Sequence, residues 1–137
     1  MTAFTLAERF IGIKEVAGLH SNPLVLAMLR LDQDWPEGDE TPWCAAFVGF
    51  ICWMLRLPRS KSLAARSWLE VGRPIALEDA KPSNDIVVLE RGAGGHVAFY
   101  AGREGTVVHL LGGNQQDRVG VNVFQIERVL GVRRLKE

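Results

Sequence analysis

The chain has 137 residues, 47% of them hydrophobic, with sixteen basic and sixteen acidic side chains. That length fits one domain, 1–137, which can bury a core without disulfide or metal staples. Balanced charge excludes a polybasic nucleic-acid binder and an electrostatic membrane anchor, and the longest apolar run, Ala45 to Leu55, is too short for membrane insertion.

The opening stretch, MTAFTLAERFIGIKEVAG, lacks the basic region, apolar core and small-residue cleavage site of a signal peptide, so none is expected. Leu6, Phe10, Ile13 and Val16 recur with a helical period, and Gly18 ends it. Asn22-Pro23 opens a second helix with Leu24, Ala27, Met28 and Leu31 inward. DQDWPEGDE, from Asp32 to Glu40, reads as a loop. A third helix is expected from about Pro42 to Leu55, stopped by Leu57-Pro58, and a fourth from about Leu63 to Val71, stopped by Gly72. Beyond Pro82 the texture changes. DIVVLE, HVAFYAG, TVVHLLGG, VGVNVFQIE and RVLGVRRL are short, β-branched and separated by turn residues, the pattern of an antiparallel meander. Helices first and strands second imply an α+β domain with N-terminal helices packed on one face of a C-terminal antiparallel sheet.

The two cysteines are Cys44 and Cys52. Eight residues apart on one helix, they are separated by about 12 Å, beyond the reach of a disulfide. There is no CxxC and no Cys/His zinc spacing, so no metal is expected. Thr41 as N-cap and Pro42 at the first helical position put Cys44 in the first turn, where free N–H groups and the helix dipole favour a thiolate. The alternative for Cys44 is a small buried hydrophobe. Cys52, among Phe50, Ile51 and Trp53, reads as packing.

A nucleophilic thiol needs a base, and there are three histidines. His20 falls in the loop after the first helix. His96 opens a strand after Gly94-Gly95 and is placed to face a helix N-terminus lying on that sheet. His109 lies in the next strand. Asn114, in LGGNQ, can orient an imidazole, although Gly-Gly-Asn is also a turn signature. In a regular strand His109 and Asn114 point to opposite faces, so at most one of them can face His96.

ETPWCAAFVGFICWML, ARSWLEVG, PSNDIVVLERGAGGHVAFYAG and LGGNQ together resemble the CHAP (cysteine, histidine-dependent amidohydrolase/peptidase) proteins and their NlpC-like relatives. The short, single-domain branch of bacteriophages and prophages is the most similar, and the resemblance covers nearly the whole chain. It implies a papain-like fold and a bacteriolytic thiol hydrolase that cuts an amide bond of peptidoglycan, a cysteine peptidase or amidase of endolysin type. Carried over, Cys44 is the nucleophile, His96 the base and Asn114 the polar third member, with His109 as the alternative. Asp85 matches a Gly-Asp-Ile/Val position, with Asn84 in place of the glycine, and is expected to cap the turn. Gly112 stands where many members carry a glutamate. Trp43, Glu40, Glu15 and Trp68 are candidates for the substrate groove, against core packing for the tryptophans and capping or surface pairing for the glutamates. No cofactor is implied, and the expected working form is a monomer whose partner is peptidoglycan. It would be made in the cytoplasm and reach the wall by holin-type release or by injection. An injected antibacterial effector and a catalytically idle wall-binding module are the competing functions.

Overall fold

A computed structural model describes residues 1–16, 22–36 and 42–137. The expectations at Gly18, His20, Glu40 and Thr41 lie outside the described residues.

A six-stranded antiparallel sheet dominates, in the order β1-β6-β2-β3-β4-β5. Its strands are β1 (Arg73–Ile75), β2 (Asp85–Arg91), β3 (Gly94–Glu104), β4 (Val107–Gln115), β5 (Arg118–Gln125) and β6 (Val129–Arg134). β2 to β5 form a meander, but the fifth run expected to continue it, β6, does not pair with β5. β6 then returns across the sheet to pair with β2, and the short β1 adds beyond it.

The papain-like arrangement is corrected. The helices α1 (Ala3–Glu8) and α2 (Pro23–Leu29) have only six and seven residues, and only α3 (Cys44–Leu55) reaches 12. α3 meets β3 through the edge-to-face contact of Phe47 with Phe99 and also lies against β4, and α2 lies against α3. The sheet, not a layer of helices, organises the domain.

Three local expectations change as well. The apolar period over residues 6–16 is helical only in α1. Ile13 and Glu15 leave it because their backbone groups find a better place beside β5: Val119 N–H donates to Ile13 O and Glu15 N–H to Asp117 O, at 2.8 and 3.0 Å. The segment expected as a fourth helix is a 3₁₀ helix, Ala65–Glu70. α3 begins at Cys44, two residues later than expected, with Trp43 as its N-cap and no side-chain cap.

Alternation along the strands splits the core in two. Ile86, Val88, Val97, Phe99 and Leu111 face α3 together with Trp43, Phe47, Ile51 and Trp68. Val87, Leu89, Ala98, Tyr100, Leu110 and Val132 form a smaller core on the other face, covered by Phe124, Ile126 and Val129 from the ends of the sheet. Asp85 caps the turn as expected, accepting from Lys81 N–H at 3.0 Å, and it also holds Arg134 through two bonds of 2.8 Å.

The seam between α3 and β4 depends on a missing side chain. A Cβ at Gly113 would lie 2.7 Å from Phe47 Cβ and 2.8 Å from the Trp43 ring. Neither neighbour can yield, since both are fully buried. Gly113→Ala is expected to destabilise the fold by about 1–3 kcal/mol through overpacking, read as a lower urea midpoint at unchanged slope.

Candidate active site

The N-terminus of α3 leaves its first N–H groups without helical partners, and Cys44 is the first helical residue. Beneath it, strands β3 and β4 separate. Their pairing runs from Glu104↔Val107 to Phe99↔Leu111 and stops there. Val97 N–H consequently points at the Cys44 thiol, along with the N–H groups of Ala45 and of Cys44 itself. Val97 faces α3, but His96, its neighbour in the chain, packs against Phe124, which covers the sheet's other face. Its Nδ1 has no hydrogen bond to the sulfur, so the expectation that His96 faces the helix N-terminus is corrected.

The thiol is nearly enclosed, at 5% exposure. Burial pushes its pKa up. The Val97 N–H, the Arg91 charge and the two helix N–H groups pull it down without prevailing. The activated thiolate expected from the helix terminus is therefore not the resting state. Cys52 is buried with its pKa raised to about 12, again by burial.

His96 is fully buried. Its Nε2–H donates to Gln115 Oε1 at 2.9 Å. The amide nitrogen of Gln115 has Leu110 O at 3.1 Å, Gly120 O at 2.8 Å and Asn122 Oδ1 at 3.0 Å. Two of those partners are main-chain carbonyls, which only accept. The amide must therefore turn its NH₂ toward them and its oxygen toward His96. That fixes the hydrogen on Nε2 and the lone pair on Nδ1, which is buried and has no hydrogen-bond partner among the described residues. Phe124 packs against the ring at 5.4 Å between centroids.

Desolvation lowers the His96 pKa to about 4, opposed by the Gln115 hydrogen bond and assisted by Arg91 and Arg128. At neutral pH the Cys44 thiol and the His96 imidazole are thus both uncharged, each through burial. The unfolded chain protonates near 6.5, the native site near 4. Between those values the unfolded state binds the extra proton, so stability should fall as pH drops through that window. The expected loss approaches about 3 kcal/mol by pH 4, measured by urea titrations from pH 7 downward and absent in His96→Gln.

Asn114 does not make the bond to His96. It adopts a left-handed φ of +56° at the irregularity where β4 and β5 lose register between Gly112 and Gln115. Its backbone turn brings the next side chain, Gln115, to the imidazole. Gly112 makes room for it: a Cβ there would fall 2.7 Å from Gln115 Oε1. His109 is also elsewhere, half-exposed on β4 and 3.6 Å from Glu104. Trp43 and Trp68 are buried in the core, which corrects their placement in a substrate groove. Glu15 lies in the segment beside β5, its N–H bonded to Asp117 O. The residue missed by sequence reasoning is Gln115. The available signal was the pair Gly112-Gly113, which leaves space for a side chain arriving from further along.

Among the described residues no three His, Cys, Asp or Glu side chains gather as metal ligands do, and no helix is long and apolar enough to cross a membrane. No protein-family model and no curated protein matches the sequence.

Proposed function

We propose that the protein is a cysteine amidohydrolase that cleaves an amide bond of the peptidoglycan stem peptide. The observation that carries this reading is a thiol at the first position of a helix, met by the Val97, Ala45 and Cys44 N–H groups, with the unpartnered, accepting Nδ1 of His96 on the residue before Val97. The reading requires the imidazole to turn from Phe124 toward the sulfur. The order of the PWC, GHV and LGGNQ motifs adds the wall as substrate. The reading does not depend on a papain-like fold.

His96 Nδ1 takes the proton from Cys44 Sγ as the sulfur attacks the scissile carbonyl. The oxyanion of the tetrahedral intermediate is met by the Cys44 N–H and its helical neighbour. His96 returns the proton to the leaving amine, which departs with a new N–H. Water then attacks the thioester, giving its proton to His96 and releasing the new carboxylate and the thiol. No cofactor enters. The working form is a monomer acting on peptidoglycan. A phage or prophage lysin released through a holin is the favoured setting, and an immunity gene beside the coding sequence in place of a holin would make it an injected effector.

The enclosure of Cys44 favours a second reading, a catalytically idle wall-binding module. Mass spectrometry of fragments released from purified sacculi separates the two. New amino and carboxyl ends at one stem-peptide bond are expected, and intact muropeptides throughout would leave only the binding module.

A further inference from the structure

We propose that a pocket between α2 and α3 is a binding site for a small uncharged amide, whose carbonyl oxygen accepts from the Trp68 indole N–H. Neither Cys44 nor His96 lines it, so the inference does not rest on the amidohydrolase reading above. The pocket measures about 270 Å³ with its mouth included, below the range of sites that take drug-sized ligands, so its occupant is a fragment. α2 supplies Met28 and Leu29 to its walls, and α3 supplies Ala46 and Gly49. The short side chains on α3 leave a hollow that Trp68 closes from the 3₁₀ helix Ala65–Glu70. Asp32, Gln33 and Lys61 are its more exposed lining and mark the rim. Gln33 Nε2 donates to Lys61 O at 3.0 Å, which ties the two sides of that rim together.

The observation that points to a ligand is Trp68 Nε1. It is buried and has no hydrogen-bond partner among the described residues. A Cβ on Gly49 would meet Trp68 Cζ2 at 3.8 Å, so that edge of the indole faces α3. Cζ2 and Nε1 are both bonded to Cε2, which puts the N–H on the pocket side of the ring. A donor shut away from water and left unpaired is costly, and an acceptor that enters the pocket recovers that cost. The apolar walls suit a short alkyl group beside the acceptor. They disfavour a carboxylate, which would give up its water for a single N–H. At the rim Asp32 holds Arg59 through Oδ2, leaving Oδ1 to accept from an amide N–H. An amide therefore matches the pocket at both ends, acceptor inward and donor outward.

The test titrates propionamide into ¹⁵N-labelled protein and follows the indole N–H signals, that of Trp68 being the one lost in Trp68→Phe. A saturable shift of that signal is expected, with a Kd of about 1–10 mM. Propionate should bind about ten-fold more weakly. Trp68→Phe keeps an aromatic ring and removes the donor, and should weaken propionamide about ten-fold, read at the Met28 methyl group. Gly49→Ala should fold whatever Trp68→Phe does, because its methyl makes an ordinary contact in a helix that favours alanine over glycine. It narrows the pocket at the N–H edge and should weaken binding about five-fold or more. Cys44→Ala should bind as the wild type does. No saturable shift up to about 100 mM propionamide would leave water as the only occupant and overturn the proposal. Propionate binding as tightly as propionamide, or an affinity unchanged by Gly49→Ala, would overturn it as well.

Discussion

Replacing Cys44 with alanine is expected to abolish the clearing of purified sacculi, a fall of about 10⁴-fold or more in rate. The other cysteine, Cys52, cannot stand in for it, being sealed in the core with a pKa raised to about 12. Cys52→Ala should keep its activity and lose only stability. Cys44→Ala should fold normally by circular dichroism, because a methyl group fits where the sulfur lies and leaves no charge behind. The serine variant is expected to be nearly as inactive, as a hydroxyl is far harder to deprotonate than a thiol. Clearing by Cys44→Ala at the wild-type rate would remove the enzyme reading.

Gln115→Leu is expected to lower kcat by about 10²–10⁴-fold with KM little changed, because the imidazole loses the acceptor that fixes its tautomer. Without Gln115 the hydrogen can move to Nδ1, the nitrogen that the proposed mechanism needs free to accept from sulfur. The pH profile supplies a second readout. The Gln115 hydrogen bond raises the His96 pKa against the larger effect of burial. Its removal should therefore shift the acid limb of kcat/KM below its wild-type position near 4. Gln115→Glu is nearly isosteric, yet it would set a carboxylate oxygen against Leu110 O, Gly120 O and Asn122 Oδ1, all acceptors. That variant should unfold at lower urea than the leucine variant.

Local chemistry made much of the sheet readable. The five runs named from the sequence correspond to β2 through β6, because each is β-branched and bounded by turn residues. β1 escaped notice because three residues with a central proline, Arg73 to Ile75, carry no alternation. The return of β6 to β2 is a pairing between distant segments, and no local pattern encodes it. The papain-like expectation came from motif order, which says nothing about pairing or about how few residues the helices hold. Ile13 and Val16 fitted a helical period, yet hydrogen bonds to β5 decided the course of Ile13 and Glu15.

The site divides along the same line. The places of Cys44 at a helix start and of His96 near a strand start were legible because each start leaves a chemical mark, but the sheet face that His96 takes was not. Gln115 was not, because its role depends on the left-handed turn at Asn114 and on the void at Gly112. The raised thiol pKa was illegible for a similar reason. A helix terminus is visible in sequence, but the burial that outweighs it comes from Trp43, Phe47 and the sheet packed around it.

The central claim is that one thiol, Cys44, reacts because His96 stands ready to take its proton. Peptide mapping after brief treatment with iodoacetamide at pH 7 tests it most directly. Label on Cys44, slowed in His96→Gln, with Cys52 unmodified until the protein is unfolded, is the expected result. Cys44 remaining unlabelled until unfolding, or reacting at the same rate without His96, would contradict it.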